Sequence, residues 1–250
     1  MRYFIAFAYK GTNYHGWQRQ PNANSIQEEL QKALKILLKT DIEVVGAGRT
    51  DAGVHSEQLF AHFNIDLEFN IPTYIYKLNA LLPDAIVVHS IQKVQPDAHA
   101  RFDAISRSYE YRIFLGNSPF NNELTWQLIN KKLNIVKMNS AAEFLLTYTN
   151  FKCFSRSKTD VKTYDCDVKN AVWKLNGNLL TFHITADRFL RNMVRAIVGT
   201  LIEVGEEKLS IEDFKRIIES KDRTNAGPSA PAKGLFLTEV QYPKSIFLNE

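Results

Sequence analysis

The segment from Gly46 to Ser56, GAGRTDAGVHS, places an arginine and an aspartate in a turn framed by glycines. A carboxylate with a guanidinium two residues away has the chemistry of a nucleophile, or of a group that stabilises positive charge as a bond breaks. Asp51 and Arg49 are therefore the first candidates for a catalytic site. A structural role for Asp51 is the alternative, because aspartate and glycine also favour turns through local hydrogen bonds and positive φ angles. The segment alone leaves both interpretations open.

The familiar phosphate, cofactor and metal motifs do not explain this segment. Gly48 and Gly53 have the spacing of a phosphate-binding loop, but Val54 and His55 stand where that loop requires lysine and then serine or threonine. A strand-like run follows the glycines, whereas a dinucleotide fingerprint opens a helix. The six histidines form no H-E-x-x-H or comparable group. The sequence therefore predicts neither a metal site nor a cofactor.

Composition and charge indicate a soluble protein with a polyanionic partner. The net charge of the 250-residue chain is +4, but residues 101–200 carry 15 Lys and Arg against 8 Asp and Glu. A basic block beside nearly neutral ones is typical of proteins that bind nucleic acid. Cys153 and Cys166 fit neither a C-x-x-C pair nor a disulfide framework, which favours a reducing cytoplasm. We expect no signal peptide and no membrane span.

Both halves of the chain show a β-α-β-β-α-β order of predicted elements. The first half has strands at 2–9, 42–46, 59–65 and 85–94 and helices after a Ser25 cap and at 73–83. The second half has strands at 108–115, 167–175, 179–186 and 234–242, and helices at 140–149 (capped by Ser140), at 189–205 (ending at Gly205) and after Ser210. This order predicts an α+β fold of two divergent ferredoxin-like, RRM-like units, 1–104 and 105–250. A single irregular α+β domain is the alternative.

Five segments, in order along the chain, resemble the tRNA pseudouridine synthases of the TruA family. They are YKGTNYHGWQRQP (9–21), GAGRTDAGVH (46–55), HARFDAISRSYEYRI (99–113), DRFLRNMVRAIVGTL (187–201) and GPSAPAKGLFLTEVQYP (227–243). The resemblance implies the pseudouridine synthase fold, in which a central antiparallel sheet carries both subdomains. It also implies the isomerisation of uridine to pseudouridine at positions 38, 39 and 40 of the anticodon stem-loop of tRNA, without a metal or cofactor, by a cytoplasmic homodimer.

The resemblance also assigns the site residues. Asp51, in the N-terminal subdomain, corresponds to the nucleophile, and Arg49 and Arg195 to the arginines that accompany it. Tyr109, in the C-terminal subdomain, corresponds to the tyrosine that stacks on the substrate base. By local sequence Tyr109 cannot be told from its neighbour Tyr111, for which a core role is expected.

Several interpretations remain open from the residues themselves. The attack of Asp51 on C1′, its attack on the uracil ring, and its assistance of an elimination to a glycal are all compatible with the sequence. A non-catalytic RNA-binding module on a ferredoxin-like sheet is the alternative function, and a base-excising glycosidase is a third. The loop 154–160 is expected to contact RNA. The other candidate phosphate contacts are Arg101, Arg107, Arg112, Lys152, Arg156, Lys158, Arg188 and Arg191.

Overall fold

The computed structural model of the chain describes residues 1–156 and 161–248. It divides into two compact units, one made of Met1–Ile105 with Leu237–Glu250 and the other of Ser106–Phe236. The sequence predicted subdomains 1–104 and 105–250, whereas the structure assigns residues 237–250 to the first unit. The α+β fold and the mostly antiparallel sheet are confirmed. The description as two ferredoxin-like units stays a prediction.

The first unit is built around a buried central strand. Its elements are β1 (Arg2–Tyr9), α1 (Ile26–Leu38), β2 (Val45–Gly46), β3 (His55–Asn64), α2 (Ile71–Leu81) and β4 (Ile86–Val94). Strand β1 pairs antiparallel with β3 on one side and with β4 on the other, and β2 pairs antiparallel with β3. Ser25 caps α1 as predicted, since its side chain accepts a hydrogen bond from the backbone N–H of Glu28. The short β2 and the long β3 together flank the segment that contains Asp51.

Strand β3 differs from its prediction in length and in exposure. The sequence predicted a strand at 59–65 with alternate residues facing the core, but β3 begins at His55 and buries residues on both faces. Phe60 and His62, expected to face outward, are 8% and 5% exposed. A strand with neighbours on both edges and packed layers on both faces loses the polar alternation that marks a half-exposed strand.

The second unit repeats a central antiparallel arrangement with additional pieces. Its elements are β5 (Ser106–Leu115), β6 (Trp126–Leu128), α3 (Ile135–Glu143), β7 (Val168–Asn176), β8 (Leu179–Ala186), α4 (Met193–Gly205), α5 (Ile211–Ser220) and the start of β9 (Leu235–Gln241). Strand β8 pairs antiparallel with both β5 and β7, and the predicted turn at 176–178 joins β7 to β8. The short β6 pairs parallel with β5 and was not predicted.

Two predicted helices of this unit have wrong boundaries. The helix expected at 140–149 runs from Ile135 to Glu143, so Ser140 lies inside it, and Asn134 caps it by accepting from the Lys137 N–H. Helix α4 begins only at Met193, because Asn192 before it has a left-handed φ of 67°. Its end at Gly205 is as predicted, and Glu206 follows as the C-cap.

Candidate active site

Asp51 and Arg49 lie in the loop between β2 and β3 of the first unit. Arg49 is exposed and Asp51 is half-buried. The carbonyl of Asp51 accepts a hydrogen bond from the Val54 N–H at 3.2 Å, which closes a turn directly behind the aspartate. The structure therefore places Asp51 at the start of a hydrogen-bonded turn, partly open to solvent.

The 9–21 segment fixes this loop on both sides of the aspartate. On one side, the Thr50 hydroxyl lies 2.8 Å from the Tyr9 hydroxyl and accepts the backbone N–H of Trp17 at 3.1 Å. On the other side, the Gly53 N–H donates to the Tyr14 carbonyl at 3.2 Å. The two segments that the sequence analysis treated as separate motifs thus form one structure.

Gly16 explains why the contact between these segments requires glycine. Its φ is +90°, and a Cβ atom placed there would lie 2.2 Å from the carbonyl oxygen of Thr50. An L-residue side chain is strained at this φ and has no room at this distance. The backbone of the 9–21 segment consequently approaches the loop more closely than any larger residue would permit.

Arg195 projects from the first turn of α4 in the second unit and is half-buried. Its Nε donates to the Ala230 carbonyl at 2.7 Å, and the Ala230 N–H donates back to the Arg195 carbonyl at 2.9 Å. Two reciprocal hydrogen bonds therefore hold both the backbone and the guanidinium of this arginine against the segment 227–231.

The segment 227–231 is itself held by polar side chains. The Ser229 hydroxyl accepts from Nδ2 of Asn192 at 2.6 Å and from Nη2 of Arg223 at 2.9 Å. At Gly199 on α4, an added Cβ would lie 1.7 Å from the Pro228 carbonyl oxygen. The helix and the segment are thus in direct backbone contact, and Arg195 lies at that contact.

Tyr109 and Tyr111 point to the same face of β5, since they are two residues apart. Tyr109 is half-buried, and its ring meets the ring of Phe189 edge-on, with centroids 5.0 Å apart at 84°. Tyr111 is fully buried and its hydroxyl donates to the Pro231 carbonyl at 2.7 Å. Burial raises the pKa of Tyr111, and nearby Arg195 opposes that rise. Tyr111 is therefore a core residue as expected, and Tyr109 has the more open environment.

A family model described as tRNA pseudouridine synthase matches residues 5–103 and 141–243. This chain belongs to that family. Arg49, Asp51 and Arg195 lie inside the matched ranges, and Tyr109 lies between them. The resemblance drawn from the five sequence segments is confirmed.

Individual relatives extend the similarity over the whole chain. The chain is 52% identical over 252 residues to tRNA pseudouridine synthase A of Bacteroides thetaiotaomicron, an alignment that covers 100% of this chain and 93% of the relative. It is also 52% identical to the protein of that name from Bacteroides fragilis, with 98% of each chain covered. A more distant relative of the same name, from Francisella philomiragia, is 38% identical over 98% of this chain and 95% of its own length.

Positioning contacts are what the sequence reasoning missed. The hydroxyl of Thr50, the ring of Phe189 and the carbonyl of Ala230 all lie inside the five segments that resemble the family, but nothing in the sequence pairs them with Tyr9, Tyr109 or Arg195.

Some of the arginines predicted to contact phosphate form hydrogen bonds or ion pairs within the protein. Nη1 of Arg107 donates to the Asp187 carbonyl, and Arg112 pairs with Glu110 and packs on the ring of Phe236.

Other predictions concern the loop 154–160, metals and membranes. Residues 157–160 of that loop, with Lys158, lie outside the described residues. Within 1–156 and 161–248, no three His, Cys, Asp or Glu side chains gather in a way that would hold a metal ion. None of the helices in the described part of the chain is long and apolar enough to cross a membrane.

Proposed function

We propose that this protein isomerises uridine to pseudouridine in tRNA. The observation that carries the proposal is its similarity, end to end, to proteins named tRNA pseudouridine synthase A, together with the family match around Asp51. In this reaction the N1–C1′ bond breaks, the uracil turns, a C5–C1′ bond forms, and the proton of C5 is lost while N1 gains one. No redox change or group transfer between molecules is involved.

Asp51 is the nucleophile in this proposal. A carboxylate next to the reacting centre can bond to C1′ as the N1–C1′ bond breaks, bond to the uracil ring, or assist an elimination to a glycal, and in each case it faces the positive charge that develops on the sugar. Its surroundings support this role, because the loop is fixed through Thr50 and Gly53 while Asp51 itself remains partly open to solvent. Because the fold already holds the carboxylate in place, the reaction does not have to bear the entropic cost of ordering it.

Arg49, Arg195 and Tyr109 complete the proposed site. We assign Arg195 as the arginine that accompanies the nucleophile, a role that suits a guanidinium whose orientation is already fixed by the Ala230 carbonyl. Arg49, exposed two residues before Asp51, binds the phosphate backbone beside the target nucleotide. Tyr109 stacks on the extruded base, with its ring plane set by Phe189.

The finer assignments follow the resemblance. We propose that the target uridines are positions 38, 39 and 40 of the anticodon stem-loop, that the enzyme works in the cytoplasm, where its tRNA substrate is found, and that it is a homodimer. A symmetric dimer suits a substrate that is long compared with one 28.7 kDa subunit. Sedimentation at micromolar concentration measures this last point, and a monomer would contradict it.

Tritium release tests the reaction. Wild-type protein incubated with tRNA labelled at C5 of uridine should release tritium to water without added metal or nucleotide, because the C5 proton is lost when C5 bonds to C1′. Transcripts in which uridines 38, 39 and 40 are replaced by cytidine should release none. Binding of tRNA without release would indicate an RNA-binding module, and free uracil with an abasic site would indicate a glycosidase.

A further inference from the structure

Phe102 is an aromatic side chain on the surface that the proposed reaction does not use. It lies in the segment between β4 and β5, within the quoted stretch HARFDA, and its side chain is 73% exposed. A single exposed aromatic residue needs no explanation by itself. Phe102 differs from such residues because its ring packs on a series of other rings that extends into the core.

Four rings form a column from the core to the surface, which we call the ring column: Phe4, His62, His99 and Phe102. Phe4 and His62 are stacked 6.3 Å apart at 26°, and His62 meets His99 at 4.6 Å. His99 in turn lies 4.3 Å from Phe102 at 37°. Phe4 and His62 are 1% and 5% exposed, so the column begins in the core and ends at an open ring.

Hydrogen bonds hold the backbone around this column. The His99 N–H donates to Oδ2 of Asp103 at 2.7 Å, and the Asp103 N–H donates to the His99 carbonyl at 3.1 Å. The N–H groups of Ala100 and Arg101 donate to the Nδ1 atoms of His62 and His99, each at 3.1 Å. The outermost ring is therefore displayed on a rigid loop, and a ligand that stacks on it loses little binding energy to ordering the protein.

The chemistry around Phe102 identifies the ligand. The guanidinium of Arg101 lies over the Phe102 ring, 5.7 Å from its centre, so the loop presents an aromatic ring together with a cation. Single-stranded nucleic acid has the matching pair of groups, a flat base and a phosphate. Phe102 is flanked in sequence by the charged residues Arg101 and Asp103, which suits a charged nucleic acid better than an apolar protein or lipid partner.

We propose that Phe102 is a stacking platform for an unpaired base of the tRNA substrate, with Arg101 on the adjacent phosphate. The base takes the place over the ring that the Arg101 guanidinium occupies in the free protein, and it becomes the next member of the ring column. This inference rests on the proposed function for the identity of the RNA, but it concerns binding and not the chemical step.

Affinity for an unmodified tRNA transcript tests the platform. Phe102→Ala should weaken binding about tenfold, since stacking of one base on an aromatic residue has an effect of this order. Phe102→Trp, which keeps a stacking surface, should bind within about twofold of wild type, whereas Phe102→Leu should resemble Phe102→Ala. Phe120→Ala is the matched control, because Phe120 is 93% exposed and lies outside the ring column, and it should bind like wild type.

Salt dependence and a second RNA separate stacking from charge. Phe102→Ala should leave the slope of log K against log salt unchanged, whereas Arg101→Gln should reduce it by about one. A fully paired RNA duplex offers no unpaired base along its length, so Phe102→Ala should bind it as wild type does.

Three outcomes would overturn the platform: wild-type affinity of Phe102→Ala for tRNA, equal affinities of the Leu and Trp variants, or a loss of affinity that accompanies dissociation of an oligomer in sedimentation. The last result would assign Phe102 to contact with a second copy of the chain. The Leu and Trp variants decide the question if Phe102→Ala does not fold. Tritium release by wild type is measured separately, so a protein that binds tRNA through Phe102 without releasing tritium refutes only the proposed function.

Discussion

The two units fix their candidate site residues in different ways. In the first unit the backbone on both sides of Asp51 is held, through the Thr50 hydroxyl and the Gly53 N–H, by a distant segment that approaches closely at Gly16. In the second unit the side chain of Arg195 is itself bonded, to the Ala230 carbonyl. Position is thus set by backbone packing at the aspartate and by side-chain hydrogen bonding at the arginine. Substitutions in the two units should therefore affect turnover and stability to different extents.

The largest expected effect is that of Asp51→Asn. An amide cannot act as a nucleophile, so turnover should fall by roughly four orders of magnitude or more. The fold and the tRNA affinity should change little, because asparagine suits the same turn and phosphate contacts elsewhere supply most of the affinity. Asp66→Asn, at an exposed carboxylate, is the control for loss of one negative charge. Turnover, melting temperature and tRNA affinity of both variants should be measured, and retained activity of Asp51→Asn would leave Asp51 as a turn residue only.

Arg195→Ala should have the next largest effect, a loss of about 10²- to 10³-fold in turnover. The cause is the removal of an oriented positive charge, and not a collapse of the helix. Arg195→Lys keeps the charge but lacks the Nε–H that bonds the Ala230 carbonyl, so it should recover only part of the activity. Single-turnover rates of the two variants measure this, and full recovery by lysine would show that orientation is unimportant.

Gly16→Ala should destabilise the first unit by about 2–3 kcal/mol, from the unfavourable φ together with the clash against the Thr50 carbonyl. Gly48→Ala, in the loop that Gly16 contacts, is the matched control. Its added Cβ meets no atom within 4 Å and its φ is not in the left-handed region, so its stability should remain within about 0.5 kcal/mol of wild type. Urea unfolding of the two variants gives the comparison, and equal stabilities would refute the close approach as the reason for glycine.

Local signals in the sequence were sufficient for much of this architecture. The Ser25 cap and the 176–178 turn act over a few residues, and both were located correctly. The apolar strands were found as well, although β3 begins four residues earlier than predicted. The start of α3 was not located correctly, because Ser140 and Asn134 are both good caps and only the packed structure selects Asn134. Strand β6 has three residues and exists only through its pairing with β5, so it has no signal of its own.

The candidate site likewise has one part with a local sequence signal and another part without one. Asp51 was proposed from its motif, because the motif depends on residue type and local spacing, and its role stays a prediction. The hydrogen bonds that hold the site residues were not predicted, since Thr50 and Tyr9 are 41 residues apart and Arg195 and Ala230 are 35 apart. Contacts of that separation are properties of the tertiary structure, and a single sequence does not encode them as a pattern.

Two hydroxyl groups offer a closer comparison of the units, since each takes part in two hydrogen bonds. Thr50→Val should cost about 1–3 kcal/mol of stability, because it leaves the N–H of the buried Trp17 without its acceptor. Ser229→Ala should cost less, about 1 kcal/mol, since the donors it releases, Asn192 and Arg223, are half-buried and can reach water. Thermal or urea unfolding checks the order, and a larger loss for Ser229→Ala would contradict it.

The last comparison concerns acid, to which the first unit should respond through His62. Burial, reinforced by His99 and Arg2 and partly opposed by Asp103, lowers the pKa of His62 to about 4. The unfolded chain, with a histidine pKa near 6.5, therefore binds more protons than the folded chain between these values. Stability from this group is complete above about pH 6.5 and is lost as the pH falls through this range, by roughly 2 kcal/mol at pH 5. His62→Gln keeps an acceptor for the Ala100 N–H but does not titrate, so its unfolding free energy should fall less between pH 7 and pH 5 than that of wild type. Parallel pH profiles for the two proteins would exclude His62 as the source of the acid sensitivity.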